Sequence, residues 1–120
     1  RDIEPRKGFW TLPAGFLEDG ESVQDGAVRE TREESRADVT EIEPYRLFNI
    51  TFVNQIYMMF RARMTSDHFG PTKESSEVRL FSREEIPWDA IAFRVIEQTL
   101  DHYFTDREKG RFPFGVFDIQ

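Results

Sequence analysis

Three glutamates, Glu30, Glu33 and Glu34, are spaced so that they could bind a metal ion together. In a helix of 3.6 residues per turn, spacings of three and four residues place their side chains within an arc of about 100°. Like charges at these spacings repel one another and weaken an isolated helix. A hard divalent cation such as Mg²⁺ or Mn²⁺ relieves this repulsion, because it prefers oxygen ligands and keeps positions for water and phosphate. The alternative is a solvated acidic helix face, which is common in acidic chains.

These glutamates belong to a longer pattern, Gly-x5-Glu-x7-Arg-Glu-x2-Glu-Glu-x2-Ala, which runs from Gly15 to Ala37. Six such matches arise by chance with a probability of about 10⁻⁶ per placement at ordinary residue usage. The pattern resembles the Nudix box, Gly-x5-Glu-x7-Arg-Glu-U-x-Glu-Glu-x-Gly-U, where U is a bulky aliphatic residue. The matching positions are Gly15, Glu21, Arg29, Glu30, Glu33 and Glu34, and the departures are Thr31, Arg36 and Ala37. No departure removes a carboxylate, but Arg36 replaces a glycine that would suit the left-handed end of a helix.

The resemblance implies a site for Mg²⁺, which Mn²⁺ can replace. Glu30 and Glu34, one helical turn apart, are the expected primary metal ligands. Glu33 is expected either to be a third ligand or to polarise a metal-bound water. The backbone carbonyl of Gly15 is expected to complete the coordination.

Further residues are expected to support these ligands or to assist the reaction. Glu21 is interpreted either as a support for the ligands or as a metal contact. Arg29 could pair with Glu21 or Glu33 and is interpreted as structural. Nudix enzymes often supply a general base from a late loop, and Glu77 is favoured over Glu74 because it adjoins a predicted strand. For both, a solvated loop carboxylate is the alternative.

Aromatic side chains could bind a ring of the substrate. Phe48, Phe52 and Tyr57 are candidates for stacking on adenine or isoalloxazine, since stacking contributes about 1–3 kcal/mol per base. The alternative is that they belong to the core, as most aromatic residues of a small domain do. His68 and His102 lack the paired spacing of a metal site.

The composition is that of a globular chain with one domain. Its 120 residues are 38% hydrophobic and 32% charged, enough for a single core. No apolar run approaches the roughly 18 residues of a membrane span, so no membrane association is expected. The absence of cysteine excludes disulfides and fits a reducing compartment, and a cytoplasmic location is expected. The net charge of −7 argues against binding to nucleic acid, although metal ions could still bridge an acidic enzyme and a phosphate substrate.

Strands and helices are predicted to follow one another along the chain. The predicted elements are strands over Gly8–Leu12, Val39–Ile50, Gln55–Met64 and Glu77–Phe81, and helices over Val23–Ser35 and from Trp88 to Arg107. Ser22, with Asp25 three residues later, predicts a helix N-cap. Pro44 indicates an edge strand or a bulge, and the aromatic tail Phe112–Phe117 is expected to pack on the core. This order predicts an α/β fold with a mixed sheet between helices, and the resemblance implies the same α/β/α sandwich.

The resemblance extends to Glu4–Gly15, Glu85–Phe93 and Tyr103–Phe114, which are similar to a bacterial and plastid Nudix subgroup. Members of that subgroup carry a zinc ribbon before the Nudix domain, and the cysteines of such a ribbon are absent here. Because strand-like sequence is already present by Phe9, residues 1–120 are expected to be a Nudix domain without its first strand or strands.

The subgroup is associated with cleavage of ADP-ribose and FAD. The resemblance therefore implies a homodimeric, Mg²⁺-dependent pyrophosphohydrolase that cleaves the diphosphate bond of a small nucleotide and releases AMP. Two alternatives stay open, a nucleotide-sensing regulator without turnover and a pyrophosphatase that removes damaged nucleoside triphosphates.

Overall fold

The computed structural model of the chain describes residues 10–120. The predicted strand Gly8–Leu12 therefore lies partly outside the described residues. Within them, Trp10 forms an isolated parallel bridge with Ile91. The backbone N–H of Trp10 donates to the carbonyl of Ala90 at 2.6 Å, and the N–H of Ala92 donates to the carbonyl of Trp10 at 2.7 Å. These contacts tie the segment that precedes the acidic motif to the segment that precedes the last helix.

The first helix, α1 (Val23–Ser35), has the predicted bounds. It begins after Ser22, whose side chain accepts a hydrogen bond of 3.1 Å from the backbone N–H of Asp25. It ends at Arg36, which adopts the left-handed conformation with φ of 63° and donates its N–H to the carbonyl of Arg32. A non-glycine residue in this conformation costs about 1–2 kcal/mol. Arginine instead of glycine at position 36 therefore does not move the helix end, and its cost in stability is small.

A mixed three-stranded sheet forms the centre of the structure. It consists of β1 (Val39–Ile50), β2 (Gln55–Met64) and β3 (Gly115–Ile119), in the order β2-β1-β3. The central strand β1 is antiparallel to β2 and parallel to β3. The register of β1 and β2 shifts after Pro44, as expected for a bulge at a residue without an N–H group. The predicted bounds of β1 and β2 and the mixed α/β character of the fold are confirmed.

The second helix, α2 (Arg94–Lys109), begins later than predicted. The residues before it form a short 3₁₀ helix, Trp88–Ala90, and Phe93 is extended at the helix N-cap. The periodic apolar residues that predicted a helix from Trp88 therefore include some that lie before the helix, in irregular backbone, and still face the core. The helix ends at Gly110, whose φ of 75° suits glycine.

Two further predictions from the sequence differ from the structure. Glu77–Phe81 is not a strand, because its apolar side chains line a cavity and contact loop residues instead of joining a ladder. The ring of Phe81 packs edge-on against Trp10 at a centroid distance of 5.1 Å. The tail packs on the core as expected, through Phe117 against Phe48. From Gly115 onward, however, it is a paired strand that continues to Ile119, which the sequence did not predict.

The core lies between the sheet and α2. Its buried cluster contains Phe48, Met59, Val95, Ile96 and Ile119. In the part of the chain that the structure describes, no helix is long and apolar enough to cross a membrane.

Candidate active site

The acidic face of α1 lies against the loop that precedes the helix. Glu34 is 2% exposed, and its Oε2 atom accepts a hydrogen bond of 2.7 Å from the backbone N–H of Ala14. One turn earlier, the Glu30 carboxylate is so close to Gly15 that any Cβ atom at that position would overlap it. The structure thus brings Gly15 together with the two glutamates predicted to bind the metal.

The guanidinium of Arg29 lies among the remaining carboxylates of the motif. Its Nε and Nη2 atoms donate to both oxygens of Glu21, at 2.8 and 3.0 Å, and Nη2 also donates to the carbonyl of Phe16 at 2.9 Å. Its Nη1 atom donates to Glu30 Oε1 at 2.8 Å and to Glu33 Oε2 at 3.0 Å. Arg29 therefore pairs with Glu21 and Glu33, as expected, and with Glu30 as well.

These contacts shift the proton equilibria of Glu21 and Arg29. The hydrogen bonds from Arg29 hold the pKa of Glu21 below its usual value, and the backbone N–H of Glu18 contributes in the same direction. The Glu21 carboxylate in turn raises the pKa of Arg29. Both groups are charged at neutral pH, so that Glu21 fixes one edge of the guanidinium by a two-point ion pair.

The donor chemistry of this site fits a hard divalent cation. Every candidate ligand is a carboxylate or carbonyl oxygen, and Glu30 and Glu33 already share one cationic group, the Arg29 guanidinium. Among residues 10–120, however, no three acidic or histidine side chains converge closely enough to hold a metal ion. The predicted ligands are therefore adjacent, but the carboxylates of Glu30 and Glu33 are directed at Arg29 and that of Glu34 at the loop.

Glu77 faces the same cavity as Glu34. This cavity has a volume of about 410 Å³ and is open to solvent; residues of α1, of α2 and of the segment that contains Glu77 line it with largely apolar walls. Glu74 does not line it. The Glu77 side chain is exposed, and its nearest ion-pair partner is Arg79 at 3.9 Å. Of the two candidates for the general base, Glu77 is therefore the one that lines this cavity.

The three aromatic candidates lie away from this cavity. Phe48 is fully buried, and its ring packs near His102 and Phe117 in the core. Its ring therefore has no face free for a substrate ring. Phe48 is a core residue, which was the alternative to a role in stacking. Tyr57 packs against the same core while remaining partly exposed, and Phe52 is exposed in the turn after β1.

Two residues of the site were not predicted from the sequence. Phe16 is 90% exposed, while Arg29 holds its carbonyl beside the carboxylates. Gly26 lies inside α1, where a Cβ atom would overlap Leu17 and crowd Glu21. Glycine inside a helix costs about 1 kcal/mol relative to alanine, so its presence there is a signal of close approach that the sequence contains.

A buried polar cluster ties β1 to α2. Asp106 accepts hydrogen bonds from the Tyr45 hydroxyl at 2.6 Å and from Arg46 Nη2 at 2.8 Å. Arg46 also donates to His102 Nδ1 at 3.1 Å and to the carbonyl of Pro113. Burial and then the nearby Arg46 charge lower the pKa of His102. This cluster fixes the position of the chain just before β3.

Known proteins are similar to this chain in sequence and in fold. The family model described as NUDIX domain matches residues 1–111. A crystal structure of a NUDIX hydrolase from Nitrosomonas europaea superposes with a TM-score of 0.88 at 47% sequence identity, covering 98% of this chain and 68% of that one.

Two curated relatives are also similar in sequence. The chain is 34% identical over 106 residues to the NAD-capped RNA hydrolase NudC of Vibrio parahaemolyticus, which covers 84% of this chain and 41% of that protein. It is 36% identical over 97 residues to the NAD-capped RNA hydrolase of Schizosaccharomyces pombe, which covers 75% of this chain and 26% of that protein. The chain thus spans less than half the length of either relative.

Proposed function

Because this chain belongs to the Nudix family, we propose that it is a Mg²⁺-dependent pyrophosphohydrolase acting on a nucleoside diphosphate linked to another moiety. The preferred substrates are ADP-ribose, which would give AMP and ribose 5-phosphate, and FAD, which would give AMP and FMN. In each case water adds across one phosphorus–oxygen bond of the diphosphate, and both products carry a phosphate. The observation that supports this proposal is the contact of Glu30 and Glu34 with the Ala14–Gly15 loop.

The roles of the residues follow from this contact. Glu30, Glu34 and the carbonyl of Gly15 would hold the cation, with Glu33 as a further ligand or as the group that orients a water. A bound divalent cation would withdraw charge from the diphosphate and lower the pKa of a coordinated water. Glu77 would accept the proton of the attacking water, from the wall of the cavity that it shares with Glu34.

Glu21 and Arg29 would hold these carboxylates in place, since Arg29 contacts three of the four glutamates of the motif. Phe16 would be the ring that stacks on a substrate beside the carboxylates, although, like the three aromatic residues expected from the sequence, it does not line the cavity. Its carbonyl is fixed at the site while its side chain is free. Phe52 and Tyr57 would be reached only by a substrate that extends beyond the cavity.

A second candidate substrate is the NAD-derived cap of an RNA. Two relatives are named NAD-capped RNA hydrolases, so the net charge of −7 is not sufficient to exclude nucleic acid. A cap of this type presents the same diphosphate linkage to the carboxylates as a free dinucleotide, and the attached RNA would extend away from the site.

A panel of substrates separates these activities. The protein would be incubated with Mg²⁺ and ADP-ribose, FAD, NAD, an NAD-capped RNA and a nucleoside triphosphate, with identification of the products by mass spectrometry. A matched series with a chelator controls for the metal. AMP from ADP-ribose or FAD supports the first candidate, and decapped RNA supports the second. Release of inorganic pyrophosphate from the triphosphate would favour the damaged-nucleotide alternative.

Binding without cleavage would favour the sensor alternative. The chain retains all four glutamates of the motif, Glu21, Glu30, Glu33 and Glu34, which favours turnover. Calorimetric binding of ADP-ribose together with no product from any substrate would overturn the proposed activity. We also infer that residues 1–120 form one Nudix hydrolase domain and that the active form is a homodimer, which sedimentation of the purified protein tests.

A further inference from the structure

We propose that Arg29 competes with the divalent cation, so that the Nη1 atom must leave Glu30 and Glu33 before the cation can bind there. This inference rests on the proposed function, because it concerns the cation used in that reaction. Arg29 would then be a positioning residue that sets how tightly the cation binds, in addition to holding the carboxylates in place.

The two edges of the guanidinium differ in how firmly they are held. The Nε and Nη2 edge makes a two-point contact with Glu21, whose side chain is largely buried, and Nη2 also binds the carbonyl of Phe16. Such two-point contacts between arginine and carboxylate are stronger and more directional than single ones. The Nη1 atom instead makes a single contact with Glu30, whose side chain is largely buried, and a single contact with Glu33, whose side chain is about half exposed. Nη1 is therefore the part of Arg29 that can be released while the rest stays in place.

The Nη1 atom binds one oxygen of each of two proposed metal ligands, Glu30 Oε1 and Glu33 Oε2. A carboxylate oxygen that accepts a charge-assisted hydrogen bond is less available as a metal ligand, and a guanidinium beside a divalent cation is repelled by it. Without the cation, Arg29 balances the repulsion between Glu30 and Glu33 on neighbouring turns of α1. The cation would consequently bind more weakly, because part of its binding free energy would be used to break the Nη1 contacts.

A residue that served only to hold the ligands would have the opposite effect on mutation, because its loss would disorder the carboxylates and weaken metal binding. The sign of the change in affinity thus separates the two roles. The variant Arg29→Gln removes the competing charge and keeps a polar side chain, which is shorter than that of arginine. The matched control is Arg32→Gln, which removes the same charge from the same helix, where Arg32 pairs with Asp38 at 2.6 Å.

The probe is Mn²⁺ alone, measured as free Mn²⁺ by electron paramagnetic resonance during titration of the purified protein. We expect Arg29→Gln to bind Mn²⁺ about three- to tenfold more tightly than Arg32→Gln, as expected for loss of partly exposed ion pairs. Equal or weaker binding by Arg29→Gln, with an unchanged circular dichroism spectrum, would overturn the inference. No binding of Mn²⁺ by the wild-type protein would defeat the proposed metal site itself. The two failures are therefore distinguishable.

A second measurement uses the wild-type protein and does not depend on whether the variant folds. Rotation about the Cζ–Nη bonds of Arg29 is restricted while both edges are held, and nuclear magnetic resonance of the guanidinium nitrogens reports this rotation. Saturation with Mg²⁺ should broaden or shift the Arg29 Nη1 signal while the Nε signal persists. Arg46, whose guanidinium is held by Asp106 and His102, serves as the internal control that should not change. An Arg29 Nη1 signal that did not change at saturating Mg²⁺ would contradict the release of Nη1 from Glu30 and Glu33.

Discussion

Glu34 on α1 accepts a hydrogen bond of 2.7 Å from the backbone N–H of Ala14, which precedes it by 20 residues. The carboxylate is almost fully buried, so this contact fixes the loop and the helix relative to each other. The carbonyl of Gly15 is consequently held close to the acidic face of α1. The position of the proposed metal site is set by this link between a loop amide and a helix side chain.

Replacement of Glu34 tests the proposed ligand directly. Glu34→Gln keeps the shape of the side chain and an oxygen that can accept from Ala14, but it removes the charge. We expect the rate of ADP-ribose or FAD cleavage to fall by about 10²-fold or more, with the melting temperature nearly unchanged. The control is Glu43→Gln, an exposed carboxylate on β1 that pairs with Arg61 at 3.0 Å. Turnover by Glu34→Gln close to that of the control would remove Glu34 from the mechanism.

A side chain at Gly15 is expected to impair the reaction, because a Cβ atom there would displace the Glu30 carboxylate. Displacement of a reacting group by about 1 Å can lower a rate by about 10²-fold, so Gly15→Ala should be nearly inactive. The matched control is Gly70→Ala, because a Cβ atom at Gly70 would meet only Arg36 Cδ, at an ordinary distance of 3.9 Å. Steady-state kinetics with Mg²⁺ varied would show whether Gly15→Ala loses affinity for the metal, and wild-type rates would contradict the predicted role.

Glu77 and Glu74 are separated by comparison of their glutamine variants. Since only Glu77 lines the cavity shared with Glu34, Glu77→Gln should lower kcat by about 10²–10⁴-fold, as loss of a general base does. Glu74→Gln should leave kcat unchanged. A larger effect at Glu74 would reverse the assignment.

Asp106 should make the stability of the domain depend on acidic pH. Hydrogen bonds from Tyr45 and then Arg46 lower the pKa of Asp106 below its ordinary value of 3.8. Between these two pKa values the unfolded chain binds more protons than the folded one, so that stability rises with pH. The contribution of Asp106 is therefore complete above pH 3.8 and is lost as the pH falls through the folded-state pKa.

Urea unfolding at several pH values measures this contribution. Asp106→Asn should destabilise the domain by about 2 kcal/mol at pH 7, and the difference from wild type should shrink below about pH 4. The control is Asp101→Asn on the same helix, where the side chain is exposed and lies 3.8 Å from Arg83. A difference between wild type and Asp106→Asn that stayed constant with pH would contradict the assignment to the Asp106 carboxylate.

Local signals in the sequence predicted the elements that carry the acidic motif. The cap at Ser22 and the spacing of the glutamates predicted α1, and the apolar patterns of Val39–Ile50 and Gln55–Met64 predicted β1 and β2. In these elements the pattern and the local backbone preference agree, so little depends on distant residues.

The remaining differences between the predicted and the observed structure are caused by contacts with residues distant in the chain. Gly115–Ile119 forms the strand β3 because it pairs with a free edge of β1. The residues of this segment do not by themselves indicate that pairing. The pattern of Glu77–Phe81 predicted a strand, but apolar contacts are satisfied there without pairing. Within the site, the proximity of Glu30 and Glu34 was predicted, while the central position of Arg29 among three carboxylates depends on how the loop folds back.

The parallel pairing of β1 with β3 has a consequence for synthesis of the protein. Thr51, just after β1, donates a hydrogen bond to the carbonyl of Ile119, 68 residues later in the chain. A ribosome must therefore finish almost the whole domain before its middle strand gains a neighbour on that side. Until then the nascent polypeptide displays an open β-edge to other chains and to chaperones.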